Sequence, residues 1–153
     1  MRVIVTRPAG QAEPLATRLR ELGHEVLVCP LVAIEPLGDE PIDLSPYDWV
    51  VVTSVNGAAE LRRRASGQPK RLAAIGRATA DAWGGMVDLV PQVSTQEGLL
   101  AELSRPAGRV LLAAAEGARR LLVDELGADF LPLYRTVELR PVDFPKGDLV
   151  VLA

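Results

Sequence analysis

Histidine and cysteine each occur once in this chain of 153 residues, and aromatic residues make up only 4% of it. A single cysteine excludes an internal disulfide. Cys29 stands in the apolar run Val26-Leu27-Val28-Cys29, the setting of a buried, inert thiol rather than a nucleophile. His24 follows Leu22-Gly23, where a helix would end, so it reads as a loop or C-cap residue. One His and one Cys supply no zinc site, and no metal is expected. With two each of Trp, Tyr and Phe, the core must be filled by Ala, Val and Leu.

Long apolar runs are missing too. Nothing approaches the roughly 20 residues of a membrane span, and strand-like Val3-Ile4-Val5 starts directly after Met1-Arg2 with no signal-peptide core. The expectation is a cytoplasmic protein with no membrane partner. A net charge of −3 argues against a nucleic-acid partner. No G-x-G-x-x-G follows the first strand, and no G-x-x-x-x-G-K-[ST] or G-x-S-x-G occurs, which sets aside dinucleotide, P-loop and hydrolase-elbow chemistry. A hydrophobic fraction of 48% beside 24% charge is that of a globular domain rather than a disordered chain.

What the chain does have is a repeated βα design, clearest at Trp49-Val50-Val51-Val52-Thr53-Ser54-Val55-Asn56-Gly57. Four apolar residues predict a strand buried on both faces, and the polar hinge that follows leads into the helix former Ala58-Ala59-Glu60-Leu61. The carboxyl end of a parallel strand, where a helix begins, is where open α/β sheets receive ligands, and its free N–H groups and hydroxyls suit anions.

In chain order, residues 2–6 predict a strand, Gln11–Leu22 a helix with Leu15, Leu19 and Leu22 on one face, and Glu25–Cys29 a second strand. Pro30–Pro36 is extended but bracketed by prolines, which suits an edge strand or connector. Trp49–Thr53 then leads to a helix reaching Ala65, Arg71–Ile75 to a short helix through Trp83 that Gly84-Gly85 stops, and Val87–Val90 to Pro91. Ser94 and Glu97 offer a capping box before Leu99, Leu100 and Leu103. Arg109–Ala113 predicts a strand, Gly117–Leu126 a helix and Ala128–Leu133 a strand. Tyr134–Pro141 alternates as an antiparallel partner for the first connector, and Asp148–Leu152 is one more strand.

Four polar turns close these strands: Thr6-Arg7-Pro8, Thr53-Ser54-Val55-Asn56-Gly57, Gly76-Arg77-Ala78-Thr79 and Glu116-Gly117-Ala118-Arg119. In a parallel sheet all would fall on one edge, where hydroxyls, helix starts and Arg7, Arg77 and Arg119 would meet a carboxylate- or phosphate-rich ligand. Helix capping also explains Ser and Thr at such places. Arg62-Arg63-Arg64 and Arg119-Arg120 read as solvated helix faces, and Trp49 and Trp83 as packing residues. Tyr134, at the exit into the second connector, reads either as packing or as a weak acid.

The order of these motifs resembles uroporphyrinogen-III synthase. The resemblance is carried by Val5-Thr6-Arg7-Pro8 with Gln11 and Leu15, Pro30-Leu31 with Ile34 and Pro36, and Tyr47-Asp48-Trp49 leading into Thr53-Ser54-x-Asn56-Gly57. Ala74-Ile75-Gly76-x-Ala78-Thr79-Ala80, Glu97-Gly98-Leu99-Leu100, Glu116-Gly117-Ala118-Arg119 and Tyr134-Arg135-Thr136-Val137 complete it. The resemblance implies an α/β fold of two flavodoxin/Rossmann-like parallel-sheet domains joined by a two-stranded linker. It also implies cyclisation of hydroxymethylbilane to uroporphyrinogen III, with loss of water and inversion of the last pyrrole ring through a spiro intermediate. The substrate, a linear tetrapyrrole with eight carboxylates, would bind between the domains without a cofactor. By position, Tyr134 would be the proton donor to the departing hydroxyl. Thr6, Arg7, Thr53, Ser54, Asn56, Gly57, Arg77, Thr79, Glu116 and Gly117 would bind substrate.

The sequence departs from the family pattern at Ala114, where relatives commonly carry Arg. It also stops after one strand of the returning first domain. The expected organisation is therefore 1–33 and 143–153 as an incomplete first domain, 34–38 and 134–142 as linker strands, and 39–133 as a second domain. The family is monomeric, and a truncated first domain would leave apolar surface free to self-associate. The alternative is a non-catalytic α/β fragment that binds a small anion or a protein partner.

Overall fold

The computed structural model describes residues 1–152; Ala153, the last residue of the expected 143–153 segment, lies outside the described residues. The chain divides into two compact units, one made of Pro36–Arg135 and the other of the chain on either side of it. The crossings, at 35/36 and 135/136, fall inside strands rather than in loops.

In the flanking unit, β1 (Arg2–Val5), α1 (Ala9–Glu21) and β2 (Glu25–Val28) are followed by β3 (Val32–Pro36). β10 (Leu149–Val151) closes the chain and gives a three-stranded sheet in the order β10-β1-β2, both pairings parallel. Val3, Val5 and Ala12 form its core, with Leu15, Leu19, Val26 and Val151 packed against them. Period-2 strand residues thus meet one stripe of α1.

The central unit contains β4 (Ile42–Asp43), β5 (Trp49–Val52), α2 (Val55–Arg64), β6 (Ala65–Ser66), β7 (Arg71–Ala74) and α3 (Arg77–Trp83). It continues with α4 (Gln96–Glu102), β8 (Val110–Ala115), α5 (Leu121–Leu126) and β9 (Asp129–Glu138). The main sheet runs β3-β9-β8-β5-β7, and β9-β8, β8-β5 and β5-β7 are all parallel pairs. β5 is buried along its whole length, as its unbroken Trp-Val-Val-Val requires. On one face Val51, Ala73, Leu112 and Ala114 pack against Leu99 of α4, Leu103 that caps its end and Leu122 of α5. Small residues opposite leucines fill a core that has few aromatics. β3 lies along β9, where Leu37 N donates to Leu133 O at 2.9 Å.

Several expectations need correction. Val87–Val90 is not a strand: only Leu89 bridges, to Ala73. The Asp88 carboxylate accepts Leu72 N at 2.8 Å and so takes a donor that a further strand would use. The cap of α4 is Thr95 rather than Ser94; its hydroxyl accepts Gly98 N at 3.0 Å after a tight turn in which Thr95 N donates to Val93 O. α5 starts at Leu121, not Gly117, so Arg119 and Arg120 precede the helix. The strand expected to end at Leu133 runs on through Tyr134 to Glu138. It does so past a register shift, because Pro132 has no N–H for the ladder and Leu133 slips out of it. Arg64 is not on a solvated face: it is 9% exposed, and its Nε donates to Glu40 O at 2.9 Å. The two-residue pair β4-β6 was not expected. Gly84, at φ +73°, ends α3 in the left-handed conformation that Gly adopts without cost.

Candidate functional site

The carboxyl edge of the main sheet is assembled from the ends of β7, β5 and β8, where the turns at 76–79, 53–57 and 116–119 emerge. The fourth turn is not on this edge. Thr6-Arg7-Pro8 follows β1 of the three-stranded sheet, in the other unit. There the Thr6 side chain is buried and its hydroxyl donates to Val151 O at 2.8 Å. Arg7 is exposed and, among the described residues, makes no hydrogen bond or ion pair.

At the end of β5, Ser54 has extended backbone and caps α2, its Oγ accepting Gly57 N at 3.0 Å. The same Oγ lies 2.9 Å from the Tyr134 hydroxyl. Tyr134 is only 5% exposed. It reaches Ser54 because β9 continues past the register shift and sets Tyr134 opposite Ala115. Gly57 makes the approach possible: a Cβ there would stand 2.9 Å from Ser54 Oγ and 3.8 Å from Tyr134 Cε1. A serine hydroxyl has one proton and two lone pairs. With one lone pair taken by Gly57 N, Ser54 can still donate to the Tyr134 oxygen and leave the phenolic proton for a ligand.

The other tyrosine is not equivalent. Tyr47 donates to Asp129 Oδ2 at 3.0 Å, and its acidity is weakened first by burial and then by that carboxylate. Of the two phenols, Tyr134 is the one not held by a carboxylate.

Beside this pair, Glu116 N donates to Tyr134 O at 2.8 Å, and the Glu116 carboxylate faces Arg135 Nε at 3.6 Å. Gly117 is exposed with open space around it. The turn they begin is pinned from α4. The buried Gln96 side chain donates Nε2–H to Arg119 O at 2.7 Å, while its Oε1 accepts Leu122 N at 3.4 Å. Next to it, Glu97 makes a two-pronged pair with the Arg119 guanidinium: Nη1 donates to Oε2 at 3.1 Å and Nη2 to Oε1. That guanidinium is the main reason the Glu97 carboxylate is held at about 2. Because the cap is Thr95, Glu97 is the second helical residue and is not drawn into a capping box.

Of the remaining candidates, Thr53 is half-buried, Thr79 is buried within α3, and Arg77 is exposed without a hydrogen bond or ion pair among the described residues. Gln96 and Arg135 were not foreseen as site residues. Gln96 had a sequence signal: it occupies the helical stripe of Leu99 and Leu103, where an amide has to find buried partners. Arg135 had none. Among the described residues, no helix is long and apolar enough to cross a membrane.

The family model described as uroporphyrinogen-III synthase HemD matches residues 13–146. The chain is 30% identical over 151 residues to a putative uroporphyrinogen-III synthase of Methanocaldococcus jannaschii, a match covering 90% of this chain and 63% of that protein. It is 32% identical over 127 residues to the uroporphyrinogen-III synthase of Synechococcus elongatus, covering 72% and 48%. A solved structure of a mutant uroporphyrinogen III synthase from Thermus thermophilus superposes with a TM-score of 0.59 at 20% identity, over 90% of this chain and 63% of that one. That superposition shows a shared fold. The chain therefore spans less than two thirds of the length of these relatives.

Proposed function

Since the chain belongs to the uroporphyrinogen-III synthase family, we propose that its carboxyl-edge site serves the cyclisation of hydroxymethylbilane to uroporphyrinogen III. Water is lost and the last pyrrole ring is inverted in that reaction. The observation that carries this reading is the 2.9 Å Ser54–Tyr134 contact at the end of a buried parallel strand. The reaction needs a proton for the departing hydroxyl. The C–O bond breaks with its electron pair going to oxygen, and the Tyr134 proton completes the water. A hydrogen bond from Ser54 holds the phenolic oxygen in place as its proton leaves. The already substituted carbon of the last ring closes first to a spiro intermediate. Its older methylene bond then breaks and re-forms at the ring's free carbon. That carbon loses a proton to the phenolate, so water is the only net product besides the macrocycle. Tyr134 is the catalytic residue in this scheme.

The substrate's eight carboxylates call for cations and hydroxyls rather than strong bases. Thr53, Ser54, Asn56, Gly57, Arg77, Thr79, Glu116 and Gly117 would shape the edge that receives them. Holding a long flexible chain so that its inverted end meets its start would supply most of the acceleration. In this reading the two units are the family's two α/β domains, joined through 34–38 and 134–142, and the enzyme is cytoplasmic.

The test is conversion of freshly generated hydroxymethylbilane, with the type III product resolved from the spontaneous type I product by chromatography. Type III product from the native chain, falling about a hundredfold in Tyr134→Phe, is the expected result, at the low end of what a positioned proton donor contributes. Type I product alone would overturn the proposal.

A further inference from the structure

We propose that Glu97 is an internal stand-in for a substrate carboxylate, held on Arg119 until a polycarboxylate ligand takes its place. This deepens the tetrapyrrole reading and rests on it.

Three observations combine. The Glu97–Arg119 contact is two-pronged, the geometry with which a guanidinium receives any carboxylate, including a ligand's. Both side chains are more than half exposed, 64% for Arg119 and 56% for Glu97, so either can swing into solvent. The main chain, in contrast, does not have to move. The buried Gln96 amide holds Arg119 O and Leu122 N, which fixes the base of the turn whichever carboxylate the guanidinium holds. A rigid stem thus carries a releasable arm.

Energetics favour an exchange. An exposed ion pair is weak, because water screens it and two long side chains lose freedom in making it. Replacing one carboxylate by another on the same guanidinium keeps the number of charge-assisted hydrogen bonds, so the swap is close to neutral. The neighbouring Glu116–Arg135 contact, at 3.6 Å with both side chains about half exposed, is looser still.

Selectivity follows. Glu97 is tethered to the same scaffold, so it competes at an effective concentration of order millimolar. A free monocarboxylate at lower concentration does not displace it. A ligand with several carboxylates, anchored elsewhere along the edge, presents its next carboxylate at a comparable effective concentration and does. Glu97 thereby excludes small acids while costing a polycarboxylate only a few-fold in affinity.

The test is titration of the native protein, Glu97→Gln, Arg119→Gln and the double variant with uroporphyrin III, a coloured octacarboxylate, followed by absorbance and protein fluorescence at fixed ionic strength. Glu97→Ser is included so that the result does not depend on the replacement amide. The expected result is binding to the native protein, tightened roughly twofold to fivefold in Glu97→Gln and Glu97→Ser, with no such gain when Arg119 is also replaced. Binding to the native protein that Glu97→Gln leaves unchanged or weakens would overturn the stand-in role and leave the tetrapyrrole reading intact. A gain that persists without Arg119 would also overturn it, as a general effect of net charge. No binding to any variant would overturn both.

Discussion

A methyl group on Gly57 would stand 2.9 Å from Ser54 Oγ, closer than real Cβ atoms come to a heavy atom. The third residue of α2 is glycine so that the capping hydroxyl can also reach Tyr134. Alanine there gains about 1 kcal/mol of helix propensity, and turning Ser54 away loses about 1 kcal/mol of cap. The two nearly cancel. Gly57→Ala is therefore expected to unfold within a few degrees of the native protein while type III product formation falls to the level of Tyr134→Phe. Thermal unfolding beside the cyclisation assay checks it, and native-like turnover would show that the Ser54–Tyr134 contact is dispensable.

The fold was legible wherever the hydrophobic period was strong. Trp49-Val50-Val51-Val52 reads as a buried strand and is one, and Gly84 stops α3 where a glycine should. Misreadings came from side chains that take over backbone partners. Asp88 replaces a ladder bond, Thr95 moves a cap by one residue, and Gln96 holds the turn at Arg119 that otherwise looks like helix. None of these leaves a periodic trace. Ser54 and Tyr134 were each visible as candidates from their places at strand ends. Their contact was not visible, because it depends on a register shift beside Pro132 that lets one strand run past the expected break.

Gln96 and Glu97 are neighbours in sequence with unequal energetic roles. Gln96→Leu leaves Arg119 O and Leu122 N without their buried partner, a loss of about 1–3 kcal/mol. Glu97→Gln breaks only an exposed, solvent-screened pair. Urea unfolding is expected to place the midpoint of Gln96→Leu well below that of Glu97→Gln, with faster hydrogen exchange at the Leu122 amide in the former only. Equal midpoints would remove Gln96 as the clamp of the turn.

Acid should expose the Glu97–Arg119 pair. The Glu97 carboxylate titrates at about 2 in the folded chain against an ordinary 4.5, chiefly because of the Arg119 guanidinium. A carboxyl whose folded value is depressed stabilises the fold above its unfolded value and loses that contribution as pH falls toward the folded one. The difference in melting temperature between the native protein and Glu97→Gln should therefore be constant at neutral pH. It should shrink between about 4.5 and about 2. Asp43 and Asp48 are also depressed, by Ser45 and Lys70 respectively, but they are present in both proteins and cancel in the difference. The difference should also narrow in high salt, which screens an exposed pair. A gap that stays constant down to pH 2 would mean the pair contributes nothing to folding.

Thr6 separates a structural role from a ligand contact. Its side chain is 1% exposed and donates to Val151 O at 2.8 Å, while Thr6 N donates to the same carbonyl at 3.1 Å. Thr6→Val removes one hydrogen bond and leaves the carbonyl satisfied by the other, so the cost is about 1 kcal/mol rather than that of an orphaned acceptor. The effect should be local, because among the described residues β10 pairs with β1 alone. Faster amide exchange in β10 is expected, with uroporphyrin III affinity within about twofold of native, less than a single lost hydrogen bond to the ligand would cause. The opposite pattern, slow exchange in β10 with affinity reduced tenfold, would make Thr6 a substrate contact.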